Sequence, residues 1–195
     1  MMTSVTIHQF FDNDRLDLPA LSSYLDRLER SVRIRQIRSL RAREQASLFD
    51  AAKDYLPIQV EHFVPAGKSV FQEVVHFGRN SLPALYIFEK RFCLPDVDSG
   101  DLWGYNEQSL KGLTGPGYFI ARQDSKFEFV IDYNEVPPSK PVSWPAVLPN
   151  SSRLGRFIYF GTRDFVRRVS EHVTIGRATR EGKPLDNWFI LCRDD

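Results

Sequence analysis

The sequence predicts an α+β protein: a mainly antiparallel sheet with helices packed on one face, preceded by a small N-terminal helical module. Three observations predict it. Apolar residues recur at helical spacing from Leu18 to Leu56. After Ile58 they alternate in runs short enough for strands. No regular strand–helix alternation follows, which argues against a parallel doubly wound sheet. Pro57 divides the chain into a helical module, 1–57, and a sheet domain, 58–195; a total of 195 residues also suits one compact domain.

In the helical module, Pro19 suits a first helical turn. Leu21, Leu25, Leu28 and Val32 then share one helix face. A twelve-residue echo, Leu25–Ile37–Phe49 and Leu28–Leu40–Ala52, predicts two or three short helices stacked at an angle, or one bent helix. Between Arg27 and Arg43 there are seven arginines and one acid, Glu29. Arg30, Arg33, Arg35, Arg38 and Arg41 are candidates for docking an acidic protein partner, against the plainer reading of a solvated helix face. Nucleic acid is disfavoured, because no aromatic interleaving accompanies the arginines and the formal net charge is only +1.

In the sheet domain, Ser69–Phe77 alternates, with Phe71, Val75 and Phe77 on one face. Asn80 or Ser81 caps an expected helix with Pro83 in its first turn and Leu85, Phe88 and Phe92 along one side. Residues 106–113 read as a short helix capped by Asn106 and stopped by Gly112. The clearest hairpin joins 117–122 to 127–133 through a four-residue loop, 123–126. That loop pairs Arg122 with Phe127 and Ile120 with Phe129. It gathers Tyr118, Ile120, Arg122, Phe127, Phe129, Ile131 and Tyr133 on one aromatic face.

Pro137, Pro138, Pro141, Pro145 and Pro149 impose an extended connection, either a surface strap or a lid anchored by Trp144. Ser151 or Ser152 caps an expected helix running to His172, with Leu154, Ile158, Phe165 and Val169 buried and Gly161 in its middle. Strands at 173–179 and 187–193, joined around Gly182, close the chain. Gly115-Pro116-Gly117 is a turn rather than a phosphate loop: position 120 is Ile, Pro116 has no N–H, and a strand follows.

Several chemistries lack their residues. His8, His62, His76 and His172 have no metal-ligand spacing, and Cys93 and Cys192 form no CxxC, so no metal or cofactor is expected. Both cysteines read as inert buried thiols in a reducing compartment. The start has no signal-peptide pattern, and no apolar run approaches the roughly 20 residues of a membrane-spanning helix. The expectation is a soluble cytoplasmic protein without membrane contact.

With 15 phenylalanines, the chain favours an aromatic core or cavity. The first functional reading is a non-catalytic binding module for a small apolar or planar ligand. Trp103, Tyr105, Tyr118 and Phe129 would surround the ligand, with Asn106, Arg122 and His172 at the polar rim. The second is the arginine-rich interaction protein. The third is an enzyme in which dispersed acid–base residues, His172 and Asp132, converge in one cleft.

Overall fold

A computed structural model describes residues 5–11, 16–83, 86–97, 99–108 and 114–195. Eight strands follow one another: β1 (Val74–Asn80), β2 (Ile87–Cys93), β3 (Leu102–Glu107), β4 (Phe119–Gln123), β5 (Phe129–Asp132), β6 (Thr162–Arg168), β7 (Val173–Arg180) and β8 (Lys183–Arg193). Each pairs antiparallel with the next, and β8 returns to β1, so the sheet closes into a barrel. Closure satisfies the backbone groups that an open sheet leaves at its edges.

The closed barrel overturns the expected α+β arrangement of helices on one sheet face. The core is filled by the sheet's own inward side chains. Two expected helices are strands. The residues carrying Phe88 and Phe92 form β2, and the segment to His172 forms a 3₁₀ turn, Arg153–Phe157, followed by β6. Phe88 and Phe92 are four apart, which suits a helix face, but they are also alternate inward positions of a strand. Gly161 has φ 75°, a left-handed conformation that ends a turn rather than continuing a helix. Asn106 lies within β3 rather than capping a helix. Leu85 and Gly112, assigned to those helices, lie outside the described residues.

The β4–β5 hairpin forms in a different register. Arg122 faces Val130 and Ile120 faces Asp132, rather than Phe127 and Phe129. This slip of three turns one strand over relative to the other, since side chains alternate with period two. Phe119 and Ala121 therefore point inward with Phe129, Ile131 and Tyr133, while Tyr118 and Ile120 point outward. In β1 the buried inward residues are Val74, His76 and Gly78, not Val75 and Phe77. The β7–β8 hairpin turns at Glu181-Gly182, both at positive φ, as a two-residue turn requires.

One end of the barrel is plugged. A single helical turn, Val60–Phe63, inserts Phe63 between Phe92 and Phe129, at ring distances of 5.1 and 4.6 Å. Ile58 and Val64 join the same core. The plug's carbonyls are held from below: Arg193 Nη1 donates to His62 O at 2.6 Å, and His76 Nε2 lies 2.9 Å from Phe63 O.

Short helices α1 (Leu18–Arg27), α2 (Arg30–Ile37) and α3 (Ala42–Ala51) lie ahead of the plug in the chain. Asp17 caps α1, its carboxylate accepting from Ala20 N at 3.1 Å. Leu21, Leu25, Ile37, Leu40, Leu48 and Phe49 cover the outward residues Val173, Ile175, Ile190 and Cys192 of β7 and β8. The proline-rich connection runs outside the opposite wall. There Trp144 seals Trp103, Tyr105, Tyr118 and Cys93, and its indole N–H donates to Glu73 at 2.6 Å.

The interior leaves no room at Gly104. A methyl group there would sit 2.4 Å from both Arg91 O and the Phe119 ring. Gly104→Ala should therefore cost about 1–3 kcal/mol, like other overpacked cores. Thermal unfolding measures the loss; an unchanged Tm would mean the strand approach is looser than described.

Candidate functional site

The end opposite the plug is open. Alternation in β2 turns Phe88 and Lys90 inward, β3 contributes Asn106, and Tyr133 follows β5. Asp164 of β6, Ala178 of β7 and Phe189 of β8 complete the ring. Together with Tyr159 and Thr162 they line a cavity of about 170 Å³. Leu82 and Ile158, both substantially exposed, form its rim.

Lys90 is the unusual residue, because a lysine is almost never fully buried unless paired. Its Nζ donates to Asn106 Oδ1 at 2.9 Å and to the Tyr133 hydroxyl in a short contact, and reaches Asp164 Oδ2 at 3.4 Å. The Tyr133 hydroxyl donates to Asp164 Oδ2 at 3.2 Å. Asn106 is oriented by its own Nδ2, which donates to Gly117 O at 3.1 Å. Four rings surround the amine, with centroids at 5.0 Å (Tyr133, Phe189), 5.2 Å (Phe119) and 5.6 Å (Phe88).

The glycine turn supports this wall. Gly117, at φ 59°, approaches Tyr159 so closely that a Cβ would lie 2.5 Å from the ring. Tyr159 thereby stacks on Tyr133 with centroids 5.4 Å apart, and its hydroxyl accepts from Gln108 Nε2 at 2.5 Å.

Burial sets the electrostatics. It drives the Lys90 amine below its usual range, an effect that Asp164 opposes. It raises the Asp164 carboxyl, against the pull of Lys90 and Tyr133. Both shifts favour the neutral forms, amine and acid. Tyr133 is raised well above a free phenol, by burial first and by Asp164 second. The floor of the cavity thus offers an amine, a carboxyl, a phenol and an amide within hydrogen-bond reach of one another, below aromatic walls.

Of the ligand contacts expected from sequence, Asn106 lines this cavity. Phe129 lies deeper, against the plug. Trp103, Tyr105 and Tyr118 come together on the barrel's exterior, beneath Trp144. Arg122 lies outside as well, bound to Glu135 at 3.0 Å. His172 is at the plugged end, with Nδ1 2.8 Å from Asp195. It does not converge with Asp132, which binds Arg163 at 2.7 Å near the other end of β6. The run from Arg163 to Arg168 alone spans roughly 16 Å.

The five arginines differ in their surroundings. Arg33 is buried, Arg30 pairs with Asp194, and Arg38 lies 5.2 Å over Phe77; Arg35 and Arg41 are exposed. Burial raises the Cys93 and Cys192 thiols to about 12 and about 11, as inert thiols require.

Sequence reasoning missed Lys90, Asp164, Tyr159, Phe88 and Phe189. The signal for Lys90 was present in Phe88-x-Lys90-x-Phe92, where one strand face carries a lysine between two phenylalanines. Among the described residues, no group of three or more His, Cys, Asp or Glu is placed to hold a metal ion. Among them, too, no helix is long and apolar enough to cross a membrane. No protein family, curated protein or solved structure was found to match this chain.

Proposed function

We propose that the protein is a binding module whose ligand is a small planar molecule with one polar group, held in the open mouth of the barrel. The observation that carries this reading is a cavity with aromatic walls and a buried polar floor. Its volume of about 170 Å³ is close to the about 150 Å³ of an apolar protein cavity that takes up benzene. An eight-stranded barrel encloses space for one such ligand and little more. Phe88, Phe189, Tyr133 and Tyr159 supply the apolar surface, while Lys90, Asn106 and Asp164 fix the polar group. The two buried free thiols suit a cytoplasmic location.

Benzyl alcohol and benzamide are suitable ligands for an amide-resolved NMR titration. Resonances of Asn106, Tyr133, Tyr159 and Phe189 should shift. Ala178→Leu, which fills the cavity, should weaken binding at least ~10-fold while the protein remains folded. Shifts confined to Trp103, Tyr105 and Tyr118, or no shifts, would refute the assignment.

A further inference from the structure

A lysine that only held its barrel together would need no opening above it. Lys90 instead lines a cavity that the rim connects to solvent, with Asn106, Tyr133 and Asp164 as its polar partners there. Asn106 and Tyr133 hold the amine closely. Asp164, at 3.4 Å, is the loosest of the three and stands within reach of any group that Nζ would carry. Apolar side chains lead into the site. Leu82 and Ile158 are exposed at the rim, and Phe157 and Phe160, exposed as well, are chain neighbours of Ile158 and Tyr159.

We propose that Lys90 Nζ forms a reversible imine with a small aromatic aldehyde or ketone seated between Tyr133 and Phe189. This rests on the binding site described above and names the ligand class that site takes. Lysine amines that are desolvated among apolar groups act as nucleophiles towards carbonyls, because the neutral amine has a free lone pair. The downward shift of Lys90 by burial points the same way.

The step balances within the site. The Nζ lone pair attacks the carbonyl carbon, and the carbonyl π pair moves to oxygen. That oxygen takes a proton from the Asp164 carboxylic acid, giving a carbinolamine. By way of Asp164, Nζ passes one of its two protons to the carbinolamine hydroxyl, which leaves as water as the C=N bond forms, and Nζ then gives its other proton to the Asp164 carboxylate. One aldehyde and one amine yield one imine and one water, with no oxidant or reductant consumed. Tyr133, hydrogen-bonded to both Nζ and Asp164, is placed to pass the proton between them.

The test is reductive trapping. The full-length protein is incubated at pH 7 with benzaldehyde and cyanoborohydride, which converts an imine into a stable secondary amine, and the labelled lysines are located by peptide mass spectrometry. Lys90 should be labelled ~10-fold or more faster than exposed Lys53, Lys126 and Lys183. Lys90→Met should lose that adduct and keep the others. If Lys90→Met fails to fold, the site preference in the native protein still decides. Labelling spread over the exposed lysines with Lys90 untouched would overturn the imine. If benzyl alcohol still shifts the cavity resonances in that case, the binding site survives and only the covalent step falls. If neither molecule engages the cavity, both fall.

Discussion

Asp164→Ala should destabilise the protein by about 1–3 kcal/mol at pH 7, the range for leaving a buried polar group without one of its hydrogen-bond partners. The carboxyl and Lys90 lie together in the barrel, both almost completely buried. Without Asp164, the amine keeps Asn106 and Tyr133 but loses its only carboxylate among the hydrogen-bond partners described for it. It escapes the cost of a buried charge by staying neutral. That escape sets the pH dependence. An unfolded lysine is protonated up to about 10.5, whereas burial lowers the folded Lys90 and Asp164, which opposes that shift, is gone in the variant. The unfolded state then binds the extra proton, so stability rises with pH over this range. The penalty should be smaller at pH 9 than at pH 7. Lys90→Met combined with Asp164→Ala removes both ionisable groups and should recover most of the loss, because apolar replacement of a buried pair is often neutral or better. Urea unfolding of the two variants at both pH values measures this. An Asp164→Ala variant as stable as the native protein, or a double variant no more stable than Asp164→Ala alone, would show that the pair is not coupled.

The same two residues explain why the barrel was hard to read from sequence. In an antiparallel barrel, a strand announces itself by apolar residues at every second position. In β2 the inward series is Phe88, Lys90, Phe92, and in β6 it is Thr162, Asp164, Val166. The polar member breaks the alternation in each, and spacings of four then favour a helix. Local rules fail most often where a site is built. The strands with conventional patterns, β4, β5, β7 and β8, were legible, as were the helices around Leu21, Leu25 and Ile37. The hairpin register was not, because a shift of three residues depends on turn geometry and on which face meets the core. Trp103, Tyr105 and Tyr118 did form an aromatic cluster, but burial alone does not tell a barrel's inside from an outside covered by a strap. Barrel closure depends on β1 meeting β8 across more than 100 residues, and no local pattern encodes that.

Acidification should loosen the plugged end before the ligand-binding end, and His76 is the main cause. Its ring is fully buried among Phe63, Phe92 and Arg193. The Phe63 carbonyl accepts a hydrogen bond only from a protonated Nε2, so the neutral ring carries its proton there and leaves Nδ1 bare. A second proton would sit on Nδ1, buried and without an acceptor among the described residues. Burial therefore lowers His76 from 6.5 to about 4; Arg193 adds to the shift, while the Phe63 contact and Asp195 oppose it. His62, at the plug itself, is lowered well below 6.5 as well, chiefly by burial and then by Arg168. The unfolded histidines bind protons near 6.5 and the folded ones do not. Stability is thus fully present above about 6.5 and is lost as pH falls towards 4. For His76 alone the fall from 6.5 to about 4 is worth about 3 kcal/mol. His76→Gln keeps a donor for the Phe63 carbonyl and removes the titration, so it should lose about 3 kcal/mol less than the native protein between pH 7 and pH 4. Urea midpoints at pH 7, 5.5 and 4 give the comparison, and amide exchange over 60–64 locates the opening. Parallel losses in the two proteins, or exchange that rises first around Lys90, would place the acid-sensitive element elsewhere. The expected order follows from the polar groups each end buries: Lys90 and Asp164 can exchange a proton between themselves, whereas His76 can take one only from solvent and has nowhere to hold it.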